Sequence, residues 1–196
     1  MRYIHAKASD FDRVCDLLAT EFSNEPVHQI IFPDENNRVD LLKDFFRIYV
    51  ELASERGGTI LAENNSGALV YFRPGSMEMT KEELVNVDNR LRKVCGSNYK
   101  AATTLTTGLE NNHPQLPHYY ISLLAVQRTA RGGNIARDLF SKLNSILDKD
   151  NSPCYAECTR FSTRTLIRRW GYVDAGPPLH INGFPELYPV WREPQK

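Results

Sequence analysis

The sequence predicts an α/β domain built on one mixed β-sheet covered by helices. Two patterns and a composition carry this reading. From residue 118 to 192, strand-like and helix-like stretches alternate. Before them come a short strand, several amphipathic segments and a hairpin signal. The chain has 196 residues, 41% of them hydrophobic and 24% charged, which suits a globule with a sizeable core and no need of disulfide or metal staples. No repeat, low-complexity tract or linker divides it, so residues 1–196 are read as a single domain.

Tyr3 to Ala6 reads as a short first strand. Phe11, Val14, Leu17, Leu18 and Phe22 then recur at helical spacing, with Ser9 as the expected N-cap. Pro26 opens a second short helix bearing Val27, Ile30 and Ile31, and Pro33 ends it by restricting the residue before it. A longer helix spans about Asp40 to Ser54, with Gly57-Gly58 as its stop. Thr59–Ala62 and Ala68–Phe72 flank the polar turn Asn64–Gly67 and read as a hairpin. Residues 80–95 read as a helix with Leu84, Val85, Val87, Leu91 and Val94 as core candidates. Residues 97–112 are rich in Thr and Asn, yet Leu105 and Leu109 are four apart, which suggests a weak helix over one face of the core.

His118 to Val126 is aromatic and β-branched enough for a central strand. A helix follows from about Asn134 to Leu147, carrying Ile135, Leu139, Leu143 and Leu147 on one side. Cys154–Glu157 reads as a short strand. Ser162 or Thr163 is expected to cap a helix that ends at Trp170, with Gly171 as its C-terminal stop. Tyr172–Asp174 and Leu187–Arg192 read as the last strands.

Composition also excludes functions. Twenty-four basic residues balance twenty-four acidic ones, so the net charge is zero. That argues against a protein that tracks nucleic-acid phosphates. Cys15, Cys95, Cys154 and Cys158 are too few for a disulfide scaffold, and one C-x-x-x-C pair makes a poor zinc site, so no metal is expected. The N-terminus lacks the apolar stretch of a signal peptide, and no run approaches 18 apolar residues. A cytoplasmic setting without a membrane partner is the expectation.

The most informative unit is Leu123 to Phe140, where a buried strand runs through Arg131, Gly132 and Gly133 into a helix. The first amides of such a helix lack intrahelical acceptors, and with the helix dipole they form an anion site. The glycines let phosphate approach the backbone, and Arg131 adds a positive fork of donors. The pattern lacks the third glycine of a dinucleotide fold and the Gly-Lys-Ser/Thr ending of a P-loop. A plain strand-to-helix turn remains the alternative.

Arg131, Gly132, Gly133, Asn134, Ile135 and Ala136 resemble the acyl-CoA-binding motif of the GCN5-related N-acetyltransferase (GNAT) superfamily. His118–Tyr120 with Leu124–Val126 looks like the family's central fourth strand, and Cys154–Thr159 like its fifth. Leu166–Tyr172 resembles the helix and Gly-Phe signature that follow. Tyr188–Pro194 and Phe22–Asp34 resemble the ends of a subgroup that includes puromycin-type and other small-molecule acetyltransferases. The resemblance spans nearly the whole chain and is loosest between residues 75 and 112. It implies a single-domain fold with a mixed central sheet flanked by helices on both faces. It also implies transfer of an acetyl group from acetyl-CoA, as cosubstrate, directly to a primary amine of a small molecule. Two departures keep a catalytically inactive CoA-binding or protein-interaction module of the same fold as the alternative. Asn134 stands where the family has its main glycine, and Ile167 stands where a tyrosine often protonates the departing thiolate.

The resemblance places the cofactor's pantetheine on the backbone of Leu124, Ala125 and Val126, and the pyrophosphate on Arg131 to Ala136. Thr163 stands where the family often has a cofactor-binding polar residue, and a simple N-cap is its other reading. Glu157 is the best candidate base, because a carboxylate buried at the end of an apolar strand has its pKa raised into the useful range. Its other reading is a partner for Arg160 or Arg164. His118 and Tyr120, two apart on one strand, share a side and could meet substrate or a water chain. Glu25, His28, Phe32 and Asp34 are expected near the acceptor. Whether the chain forms a homodimer stays open.

Overall fold

The computed structural model describes residues 2–195. The chain forms one seven-stranded mixed sheet with helices on both faces, the architecture expected. In chain order the elements are β1 (Tyr3–His5), α1 (Phe11–Phe22), α2 (Pro26–Ile31), α3 (Arg38–Arg56), β2 (Gly57–Ala62) and β3 (Gly67–Phe72). Then follow α4 (Lys81–Cys95), α5 (Tyr99–Asn112), β4 (Tyr119–Val126), α6 (Ile135–Lys149), β5 (Cys154–Cys158), α7 (Phe161–Ile167), β6 (Val173–Asp174) and β7 (Tyr188–Arg192). The strand order is β1-β2-β3-β4-β5-β7-β6. Among the described residues only β4 and β5 pair in parallel. That pair is joined through α6, as a parallel crossover requires.

Period-two alternation builds two cores, one on each face. On one face Ala68, Val70 and Phe72 of β3 pack with α1, α2, α3 and α5, through residues such as Leu18, Ile31, Phe46 and Leu105. On the other face Leu69 and Tyr71 meet Leu139, Leu143 and Leu147 of α6 and Ile167 of α7. Strand β3 is therefore buried on both sides.

Several local expectations are corrected. Ser9 lies inside a one-turn 3-10 helix, and Asp10 precedes α1 while its carboxylate accepts from the Lys7 amide at 2.8 Å. Ser162 and Thr163 sit within the first turn of α7, and Arg160 occupies the N-cap. Gly57 does cap α3, but it also begins β2, where a side chain's Cβ would fall 2.0 Å from the Tyr71 carbonyl oxygen. On α4, Leu91 is buried while Leu84 and Val85 are exposed. Thr80 caps that helix with Glu83 in a reciprocal capping box. Strand β4 starts at Tyr119, so His118 belongs to the preceding loop.

Candidate active site

The site begins at a defect in the centre of the sheet. The β3–β4 register runs Val70↔Leu123 and then Tyr71↔Ile121, so Ser122 is an extra, bulged residue in β4. Strands β4 and β5 pair over three positions, ending at Ile121↔Ala156. Beyond that point they part. The backbone polar groups of residues 122–126 on the β5 side therefore have no strand partner, and Leu124, Ala125 and Val126 form this open edge. Ala125 is buried in the first core, and Leu124 and Val126 pack against the second. Their side chains are core, and their backbone is what the cleft offers.

The edge leads to the glycine turn. Gly132 has φ +84°, a left-handed conformation that favours glycine, with open space where a Cβ would stand. Asn134 has φ −89° and ψ 0°, ordinary right-handed backbone, so asparagine stands there without strain. It is the N-cap of α6, its side chain makes no capping bond, and the amides of Ile135 and Ala136 open the helix. The Arg131 guanidinium is engaged: it bonds the Val126 carbonyl at 3.2 Å and the Glu21 carboxylate at 2.7 Å. Glu21 also accepts from the Arg128 amide at 3.0 Å. A carboxylate from α1 thus already holds donors of this loop. Thr163, half-buried in α7, faces no cap role.

At the apex of the splay stands Glu157. Its side chain is only 4% exposed. Burial pushes its carboxyl up to about 7, although the nearby Tyr120 and Tyr155 hydroxyls favour the charged form. The Tyr155 hydroxyl and Glu157 Oε1 lack a directed hydrogen bond. The arginine-partner reading of Glu157 is overturned. Arg160 bonds Glu25 at 2.7 Å, and Arg164 pairs with Asp174. A carboxyl whose pKa burial has raised in this way is suited, in its ionised form, to accepting a proton.

Tyr120 and Tyr155 lie opposite each other in the β4–β5 register, their rings stacked at 6.2 Å. His118 Nδ1 donates to the Leu116 carbonyl across 2.5 Å. A residue not singled out from the sequence, His113, joins them. It follows α5, and its ring lies 4.7 Å from His118, 4.9 Å from Tyr120 and 5.2 Å from Tyr155. Burial and the neighbouring His118 lower its pKa to about 4. Of the residues expected near an acceptor, Glu25 reaches the β5 end through Thr159 and Arg160. His28 is instead buried against Phe22, Phe45 and Phe46 and held neutral by burial. Phe32 is core, and Asp34 caps a surface turn at Asn36. Ile167 is buried in the second core and brings no proton.

No protein-family model and no curated protein sequence matches the chain. Solved structures do match its fold. An acetyltransferase of Corynebacterium glutamicum described as histone acetyltransferase HPA2 and related acetyltransferase superposes with a TM-score of 0.75 at 20% identity, covering 99% of this chain and 96% of that one. Arylalkylamine N-acetyltransferase 2 of Aedes aegypti gives 0.57 at 14% identity, covering 99% of both chains. The C-terminal condensation domain of Ebony, in complex with β-alanyl-dopamine, gives 0.59 at 15% identity and 98% of both. The chain shares its fold with these structures.

Proposed function

We propose that the chain is an acetyltransferase that moves an acetyl group from acetyl-CoA to a primary amine of a small molecule. One observation carries this reading: the β4 edge laid bare by the Ser122 bulge runs from Glu157 to the glycine turn and the N-terminus of α6. The residues present fit the cosubstrate. The edge at Leu124–Val126, which has no strand partner on the β5 side, suits an extended, amide-bearing arm. Gly132, Gly133, Asn134, Ile135 and Ala136 offer backbone donors at a helix N-terminus, which suits a pyrophosphate.

Acetyl-CoA supplies an acyl thioester. The β4 backbone holds it beside the amine, which turns an encounter of two molecules into a step within one complex. Donors along that edge stabilise negative charge as it develops on the carbonyl oxygen. Glu157, its pKa raised by burial, takes the ammonium proton in its ionised form, directly or through water. No acid is needed at Ile167. A thiol has an ordinary pKa of about 8.5, so the sulfur departs as thiolate far more readily than an alkoxide does.

Isothermal calorimetry tests the cofactor half. Acetyl-CoA and CoA are expected to bind, and no heat and no competition at millimolar ligand would refute it. Arg131→Ala is expected to weaken acetyl-CoA by about tenfold, the scale of one hydrogen bond to a charged group. Glu21→Gln is expected to tighten it about threefold, because it removes a carboxylate that competes for Arg131 and the Arg128 amide. Weaker binding in Glu21→Gln would show that Glu21 instead holds Arg131 in place for the phosphate.

A further inference from the structure

We propose that His113 takes from Glu157 the proton that Glu157 has removed from the acceptor amine and passes it to water, with His118 fixing the tautomer that makes this possible. The proposal rests on the acetyl-transfer reading above.

The hydrogen bonds around the two imidazoles have a fixed direction. The Leu116 carbonyl can only accept, so His118 Nδ1, 2.5 Å away, carries a hydrogen. In neutral His118 the other nitrogen, Nε2, is then a bare acceptor. His113 Nε2 lies 2.9 Å from it and must be the donor. That leaves His113 Nδ1 with its lone pair free, 3.9 Å from Glu157 Oε1. The same oxygen has no directed partner. A free lone pair thus faces a free carboxyl oxygen, and the tautomer that produces the pair is set from the far end, at a backbone carbonyl.

The loop that carries both rings suits this task. Pro114 and Pro117 restrict the five residues between the end of α5 and His118. The titratable groups facing His113 are His118 from its own loop, Tyr120 from β4, and Tyr155 and Glu157 from β5. Both imidazoles are held neutral at rest by burial, so a proton that reaches His113 does not stay there and is passed on. The step balances. The Glu157 O–H bond breaks as His113 Nδ1–H forms, giving a carboxylate beside an imidazolium. Their mutual attraction offsets the cost of charging a buried ring. His113 then releases the Nδ1 proton to water, which its side chain, 22% exposed, can reach. Glu157 is left ionised for the next amine. The 3.9 Å gap exceeds a hydrogen bond, and such contacts commonly tighten once substrate is bound.

Sequence patterns around Glu157 did not point to His113, because it lies 44 positions away and reaches β5 only through the turn after α5. Its role is to act through Glu157.

The test combines two measurements on the full chain. Nitrogen-15 NMR of the histidine rings at pH 7 is expected to show the Nε2–H tautomer for His113 and the Nδ1–H tautomer for His118. The opposite tautomer at His113 overturns the proposal without any variant. In the second, CoA release is followed with acetyl-CoA and the primary amine that the wild type acetylates fastest in a panel. His113→Gln keeps a donor for His118 but cannot take a proton. It is expected to lower kcat about 10- to 100-fold with the KM for acetyl-CoA within about twofold, at the lower end for general acid–base catalysis. Free imidazole added to this variant is expected to restore kcat in proportion to its concentration, which a packing defect would not allow. A His113→Gln rate within about twofold of wild type, or no response to imidazole, overturns the relay while leaving acetyl transfer intact. A wild type that releases no CoA with any amine overturns acetyl transfer, and the relay with it.

Discussion

Glu157→Gln is expected to lose most of its activity and gain stability in the same pH range. On the kinetic side, removing the group that accepts the amine proton should reduce kcat/KM for the amine by about 10²- to 10⁴-fold. Acetyl-CoA affinity should hardly change, because the phosphate-side donors lie at the other end of β4 from this residue. Below neutrality the wild-type rate should rise with pH through about 7, as the carboxyl that burial has raised gives up its proton. In the glutamine variant that limb should vanish, leaving only the titration of the amine itself. On the stability side the sign follows from linkage. The folded-state pKa of about 7 lies above the ordinary value of 4.5, so folding favours the protonated form. Below about 4.5 the two proteins should be equally affected by pH. Between about 4.5 and 7 the wild type should lose ground, reaching about 3 kcal/mol above pH 7. Urea unfolding of both proteins at pH 4 and pH 8.5 measures this directly. A variant that keeps more than half of wild-type kcat/KM is not missing its base, and Tyr120→Phe and His118→Ala become the substitutions to examine.

The second large effect is on folding. Arg192, at the end of β7, is only 2% exposed. Its guanidinium grips Asp148 near the end of α6 through two bonds of 2.8 and 3.0 Å and reaches the Trp170 carbonyl at 3.3 Å. Asp148 also accepts from the Gln195 amide at 2.8 Å. One buried cation therefore ties together the last strand, the helix that follows the glycine turn, and the segment after α7. Asp148→Ala is expected to cost about 3–5 kcal/mol, because it leaves a guanidinium that cannot be neutralised without its counter-charge. Arg192→Met should cost less, since Asp148, its side chain 29% exposed, can turn to water and the methionine fills part of the space. The Arg192 hydrogen bonds hold the Asp148 carboxyl below 3.8, so its contribution is present at neutral pH and lost as the pH falls through that lowered value. Denaturant midpoints at pH 7 and pH 3 separate the cases: the gap between wild type and Asp148→Ala should narrow in acid.

Much of this architecture was legible in the sequence because burial imposes a period. The side of α6 bearing Leu139, Leu143 and Leu147 and the aromatic run of β4 are patterns that one core on each sheet face dictates. Caps were less legible. Ser9 and Thr163 have the right chemistry, but the chain adds a 3-10 turn before α1 and starts α7 at Phe161, which moves the caps to Asp10 and Arg160. The bulge at Ser122 leaves no local mark, since it is defined by β3 across the sheet. Glu157 could be picked out as a carboxylate in an apolar strand. Tyr155, two residues earlier on the same side, was open to the same alternation argument and was missed. His113 had no local signal beyond two histidines bracketing two prolines, because its partners come from β4 and β5. Arg131 had the chemistry of a phosphate ligand, and only the packing of α1 revealed that Glu21 already holds it.

Amine-dependent release of CoA from acetyl-CoA by the wild-type chain tests acetyl transfer most directly. CoA should accumulate only when enzyme, acetyl-CoA and a primary amine are all present, and the mass of that amine should increase by one acetyl group. Tight binding of acetyl-CoA with no CoA release above hydrolysis, across a broad panel of small amines, would contradict it and identify a non-catalytic CoA-binding module instead.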